Sequence, residues 1–178
     1  MKAEQIKEVF HKNIMLIGFM GTGKSTISSY LSKWLGLEEV DLDAKIVEKA
    51  GMSIPKIFEQ YGEVYFRNLE TEVLKEVQQR EQLIVSCGGG IVLRDENVAQ
   101  MKAHGKIVLL TATPETVYER VKDSKNRPIL NGHMNVEYIA QLMEKRRERY
   151  EQCADLVVAT DGKTVEQIGE EMMMQLLA

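Results

Sequence analysis

Gly18-Phe19-Met20-Gly21-Thr22-Gly23-Lys24-Ser25-Thr26 is the stretch that decides the fold. It fits G-x-x-x-x-G-K-[ST], with Gly18, Gly23, Lys24 and Ser25 at the fixed places. Glycines let successive backbone N–H groups turn into one hollow. A lysine there supplies a point charge for the outer phosphates, and a serine hydroxyl can ligate Mg²⁺. The flanks agree with a phosphate-binding loop: Asn13 to Phe19 is a short apolar run that reads as a strand, and Ser25 to Leu35 reads as the helix the motif opens. The residues read as holding a nucleoside triphosphate are therefore Gly21, Thr22, Gly23, Lys24, Ser25 and Thr26, with Ser25 on the metal.

Working outward, strand-like runs alternate with amphipathic helical stretches. The strands read as Ile14–Gly18, Glu39–Leu42, Leu83–Cys87, Lys106–Leu110 and Leu156–Ala159. Each is short and rich in Val, Ile or Leu, as suits strands buried on both faces of a parallel sheet. Stops and starts agree: Gly36 follows the first helix, Gly51 follows 43–50, Ser53 with Pro55 opens a helix that Gly62 closes, and Thr113-Pro114 caps another. Repeated β-α units predict a three-layer α/β fold. With 178 residues and no linker or repeat, the chain reads as one domain, large enough for a sizeable core without disulfides or a structural metal.

Composition excludes several classes of function. The chain is 44% apolar and 28% charged, with a formal net charge of −4. That balance gives no basic field for nucleic acid or a membrane surface, so any anion site must be a local cluster of Arg and Lys. Cys87 and Cys153 are too few for a disulfide framework and lack metal-ligand spacing, which predicts reduced thiols in a cytoplasmic protein. The first apolar run is too short for a signal core or a membrane span. The arm at 1–12 places Ile6, Val9 and Phe10 at helical spacing, as in a short docking helix, and Met172 to Met174 read as packing of the last helix.

Further chemistry gathers at the carboxyl ends of the strands, where open α/β sheets bind ligands. Asp41-Leu42-Asp43 ends the second strand. Alternation would put both carboxylates on one side and Leu42 in the core, one carboxylate serving hydrated Mg²⁺ and the other a substrate hydroxyl. The alternative is that Asp43 caps the next helix. Arg67, in GEVYFR, is either a ligand-binding group or a surface partner of Glu70. Gly88-Gly89-Gly90 follow the third strand and predict a backbone lying close to a ligand. Residues 123–135 (DSKNRPILNGHMN) are polar and turn-rich, either a plain surface loop or a lid bringing Lys125 and Arg127 over the phosphates. In EKRRERY, Arg146 shares a face with Tyr150 while Arg147 and Arg149 point elsewhere; nothing internal to the chain selects among the three arginines.

Taken in order, GFMGTGKST at 18–26, DLD at 41–43, GEVYFR at 62–67, GGG at 88–90, RPIL at 127–130, RRERY at 146–150 and then Ala154-Asp155 resemble the pattern of the shikimate kinases. The resemblance runs from Ile14 to about Thr164. It implies a five-stranded P-loop NTPase fold of the nucleoside-monophosphate-kinase type. It also implies transfer of the ATP γ-phosphoryl group to the 3-hydroxyl of shikimate with Mg²⁺; a small monomer is the default expectation. On the matching positions it implies Asp43 as hydroxyl-binding group and candidate base, Asp41 near Mg²⁺ through water, and Arg67 with Arg146 on the substrate carboxylate. Gly88, Gly89 and Gly90 would form the substrate-side turn, with Arg120 beside adenine and Arg127 facing the phosphates. Ile129 replaces the commoner Leu, and the positions between Arg146 and Tyr150 lack the proline of many relatives. A kinase for another hydroxy acid, such as gluconate, is the alternative.

Overall fold

β1 (Asn13–Ile17) has every side chain buried, because it is covered by helices on both faces. In the computed structural model, which describes residues 2–123 and 135–178, β1 is the centre of a five-stranded parallel sheet. Its neighbours are β3 (Leu83–Ser86) and β4 (Gly105–Thr111); β2 (Glu38–Asp41) and β5 (Leu156–Ala159) are the edges, giving the order β2-β3-β1-β4-β5. Every strand lies within one residue of the run read from the sequence. Leu16 pairs with Ser86 on one side and Val108 on the other, so the loops after β1, β3 and β4 open at the same end of the sheet.

Alternation along β1 sorts the core into two layers. Met15 and Ile17 join Val85, Ile107 and Leu109 on the face covered by α3 (Leu42–Ala50), α4 (Ile54–Val77), α5 (Asp95–His104), α6 (Pro114–Val121) and α7 (Val136–Cys153). Ile14 and Leu16 join Ile84, Val108 and Leu110 on the face covered by α1 (Ala3–Val9), α2 (Lys24–Leu35) and α8 (Val165–Leu177). The three-layer α/β architecture is the one expected. Thr113 caps α6 by accepting a hydrogen bond from the Thr116 N–H at 3.2 Å, with Pro114 in the first turn.

Gly62 closes the helix opened at Ser53 and Pro55, as read: its φ 82° and ψ 175° are non-helical and divide α4 into two helical runs, the second reaching Val77. One local reading needs correction. Strand alternation does not orient the two aspartates, because β2 ends at Asp41. Asp41 itself caps α3, accepting from the Ala44 N–H at 3.2 Å, so Asp43 sits in the first helical turn. Leu42 is buried, as alternation predicted, though as a helical residue.

The N-terminal arm docks through Ile6 and Phe10, while Val9 is 64% exposed. The Gln82 amide donates to Lys7 O at 3.2 Å and Phe10 O at 3.3 Å, tying the end of α1 to the sheet. Met172 and Met173 are buried in the α8 layer and Met174 is exposed, so the cluster is mainly packing. Among the described residues, no helix is long and apolar enough to cross a membrane.

Candidate active site

The loop after β1 folds as its glycines demand. Gly18 has φ 144° and Gly23 φ 100°, values side chains rarely tolerate, and a Cβ on Gly18 would lie 2.5 Å from Leu110 O. Gly23 is also the N-cap of α2, so the loop runs straight into a helix N-terminus, where free N–H groups favour anions. Lys24 Nζ donates to Gly18 O at 2.8 Å and Phe19 O at 3.0 Å, which folds its charge back across the loop. Gly21, Gly23, Lys24, Ser25 and Thr26 line one cavity of about 520 Å³. Thr22 is turned inward: its hydroxyl and its N–H reach Phe19 O at 2.8 and 3.3 Å.

Asp41, Asp43, Arg67 and Arg146 line the same cavity, together with Gly88, Gly89 and Gly90. They come from the end of β2, α3, α4, α7 and the turn after β3, and the parallel sheet brings them to one end. Arg120 joins from α6, its Nη1 donating to Gly21 O at 3.0 Å and Thr160 Oγ1 at 3.1 Å. The cavity therefore has a phosphate-loop side near β1 and β4 and an opposite side near β3. Arg147 pairs with Glu144 at the surface, and Arg149 donates to Val92 O and Asp95, so Arg146 is the arginine of its run that enters the cavity. Arg127 and the rest of 124–134 lie outside the described residues.

Arg67 lines the cavity and also pairs with Glu70. Its Nη1 donates to Glu70 Oε1 at 2.9 Å, but Glu70 is no surface partner, for its side chain is only 2% exposed. Arg67 Nε is buried and makes no hydrogen bond among the described residues; the exposed Glu63 carboxylate stands 3.6 Å from it, an ion pair beyond hydrogen-bond length. Its guanidinium also lies 5.1 Å from the centre of the Phe66 ring. Burial pushes the Glu70 carboxyl above the ordinary range, partly offset by Arg67, and the nearby Asp43 pushes it in the same direction as burial. Sequence reasoning missed Glu70 as a site residue because an i, i+3 pair reads as surface charge.

The three glycines are explained by side chains rather than by backbone shape, since none has a positive φ. A Cβ on Gly88 would lie 2.8 Å from Asp43 Oδ1, and one on Gly89 3.2 Å from Arg146 Nη1. A Cβ on Gly90 would lie 2.5 Å from Arg67 Cζ. Each glycine thus leaves room for one polar group of the cavity. Tyr150, buried at the far end of the Arg146 turn, donates its hydroxyl to Gly89 O at 2.6 Å. Burial raises the Tyr150 pKa against the opposing effect of Arg146, which keeps the hydroxyl a donor.

The donor set fits a magnesium nucleotide. Among the described residues no three His, Cys, Asp or Glu side chains form a preformed metal cage. Ser25 and Asp41 offer one hydroxyl and one carboxylate, suited to Mg²⁺, which keeps waters and takes phosphate oxygens rather than demanding an all-protein shell.

A phosphate loop opening a helix, facing acidic and basic groups across one cavity of a parallel sheet, defines a P-loop phosphotransferase of the nucleoside-monophosphate-kinase type. Comparison narrows the class. The family model described as shikimate kinase matches residues 20–177. A shikimate kinase of Thermodesulfovibrio yellowstonii is 40% identical over 164 residues, 92% of this chain and 94% of that protein. One of Geobacter metallireducens is 43% identical over 161 residues, 90% of this chain and 89% of that protein. The structure of shikimate kinase from Acinetobacter baumannii in complex with shikimate superimposes with a TM-score of 0.89 at 32% identity, covering 98% of this chain and 97% of that one. The chain belongs to the shikimate kinase family, a phosphotransferase that uses ATP with Mg²⁺. Gluconate is not the favoured acceptor.

Proposed function

We propose that Arg67 and Arg146 grip the carboxylate of shikimate while Asp43 orients the 3-hydroxyl toward the γ-phosphate of ATP held on the phosphate loop. The observation that carries this reading is the Arg67 guanidinium lining the same cavity as Lys24, its buried Nε making no hydrogen bond among the described residues and meeting the exposed Glu63 carboxylate only at 3.6 Å. A guanidinium fork suits a planar carboxylate better than a point charge would. Asp43, in the first turn of α3 beside Gly88, is the carboxylate that accepts the hydrogen bond of the attacking hydroxyl.

Catalysis here is positioning and charge stabilisation. Loop amides and Lys24 would hold the outer phosphates, Ser25 and Asp41 would hold Mg²⁺, and Arg120 steadies Gly21 on the side where the adenine would lie. Gly88, Gly89 and Gly90 keep the acceptor close to its arginines, while Gly23 and Thr26 complete the phosphate cradle. When bound, Mg²⁺ neutralises charge on the transferring phosphoryl group. We assign Arg127 to a lid over residues 123–135, reading residues 1–178 as one domain. The net charge of −4 and the buried, unpaired Cys87 and Cys153 support a cytoplasmic monomer acting on a small molecule, without nucleic acid or membrane.

The test is ADP release with shikimate, quinate and gluconate, measured for the wild type and for Arg67→Ala. Shikimate should be the preferred acceptor, and Arg67→Ala should raise its KM about tenfold or more while leaving the ATP KM nearly unchanged. An unchanged shikimate KM removes Arg67 from the site.

A further inference from the structure

The turn after β3 passes Arg67 with very little clearance, so the distance between that turn and α4 must be held by something. It is held from α5. Asn97 is completely buried; its Nδ2 donates to Ile91 O at 3.0 Å, immediately after the three glycines, and its Oδ1 accepts from Thr71 Oγ1 at 2.8 Å. Thr71, one turn beyond Arg67 in α4, also lies 3.0 Å from Arg67 O, and Arg94 Nη1 approaches the same hydroxyl at 3.4 Å. The orientation of the amide follows from chemistry. A backbone carbonyl can only accept, so Nδ2 must face Ile91 and Oδ1 must face Thr71. Asn97 therefore bridges the glycine turn and the Arg67 helix, and neither bond touches the cavity.

We propose that Asn97 and Thr71 are positioning residues for acceptor binding: they fix the glycine turn against α4 and so fix the direction of the Arg67 guanidinium. The proposal rests on the reading of Arg67 as a carboxylate-binding residue. A purely structural role for the same pair would lower stability and disturb both substrates alike. A positioning role acts on one.

Thr71→Val keeps the shape and removes the hydroxyl. It should raise the shikimate KM about tenfold, with kcat and the ATP KM staying within about twofold, and Thr71→Ser should restore the wild-type value. In an Arg67→Ala background, Thr71→Val should add nothing, because the residue it acts through is gone. Asn97→Asp, which places a carboxylate oxygen against Ile91 O, provides a second kinetic comparison should Thr71→Val fail to fold. An unchanged shikimate KM in folded variants, or an equal rise with Arg67 already removed, overturns the proposal. If Arg67→Ala itself leaves the shikimate KM unchanged, the carboxylate reading falls and this inference with it. If Arg67→Ala raises it and Thr71→Val does not, only the inference falls.

Discussion

Alanine at Gly90 tests the acceptor site without replacing any residue proposed to bind by its side chain. Gly90 has φ −96° and ψ 3°, a conformation that ordinary residues adopt, so the backbone itself resists little. The added Cβ would overlap the Arg67 guanidinium, lying 2.5 Å from Cζ and also meeting Nη1 and Nη2. The turn is tethered, whereas the guanidinium is the far end of a flexible side chain, so the guanidinium moves. Charge-assisted hydrogen bonds contribute about 1.5–3 kcal/mol each, so losing one from the carboxylate should raise the shikimate KM by about ten- to one hundredfold. The ATP KM should hold, because Gly90 lies across the cavity from Lys24. Displacing Arg67 also separates it from the buried Glu70, at a cost of about 1–3 kcal/mol. For a chain of this length, each kcal/mol lowers Tm by about 2–4 °C. Steady-state kinetics on both substrates and a thermal melt measure these effects. Gly88→Ala and Gly89→Ala rank the site: the first meets Asp43 Oδ1 at 2.8 Å and should lower kcat, while the second, 3.2 Å from Arg146 Nη1, should be mildest. A folded Gly90→Ala enzyme with wild-type shikimate KM and Tm would refute the reasoning.

Asp43→Asn should lower kcat by about a hundredfold while leaving both KM values within a few-fold, as expected for a hydroxyl-orienting base; near-wild-type turnover in a single-mutant assay rejects that role. Burial pushes the Cys87 thiol far up and raises that of Cys153 as well, so neither forms the reactive thiolate near neutral pH. Raising the pH to about 9 should therefore leave labelling by a disulfide reagent slow in the native enzyme, with both thiols reacting after denaturation; rapid native labelling contradicts the burial.

The phosphate loop was legible because its chemistry requires residue types at fixed neighbouring positions, and the strand beneath it because burial on both faces leaves an unbroken apolar run. The aspartates after β2 came out in the right cavity for a different reason: Asp41 is a helix cap, and the turn of α3, rather than strand alternation, presents Asp43. The glycines after β3 signalled a close approach, but what approaches is a set of side chains distant in sequence, which no local pattern reveals. Arg146 could be separated from Arg147 and Arg149 only by resemblance until packing placed the other two against Glu144 and Val92. Glu70, Thr71 and Asn97 stayed hidden because buried polar partners look like surface residues until their burial is known.

The placement of β1 between β3 and β4 has a consequence for altering the enzyme. Asp41, Asp43, Arg67 and the three glycines fall in one continuous segment on the β3 side, while the phosphate loop precedes it and Arg120 follows it. Among the described residues, Arg146 lines the acceptor side from the later part of the chain, with Tyr150 behind it on Gly89 O. Acceptor preference can accordingly be varied within one uninterrupted block of the gene, from the codon of Asp43 to that of Gly90, plus the distant codon of Arg146, leaving the phosphate loop and Asp41 untouched.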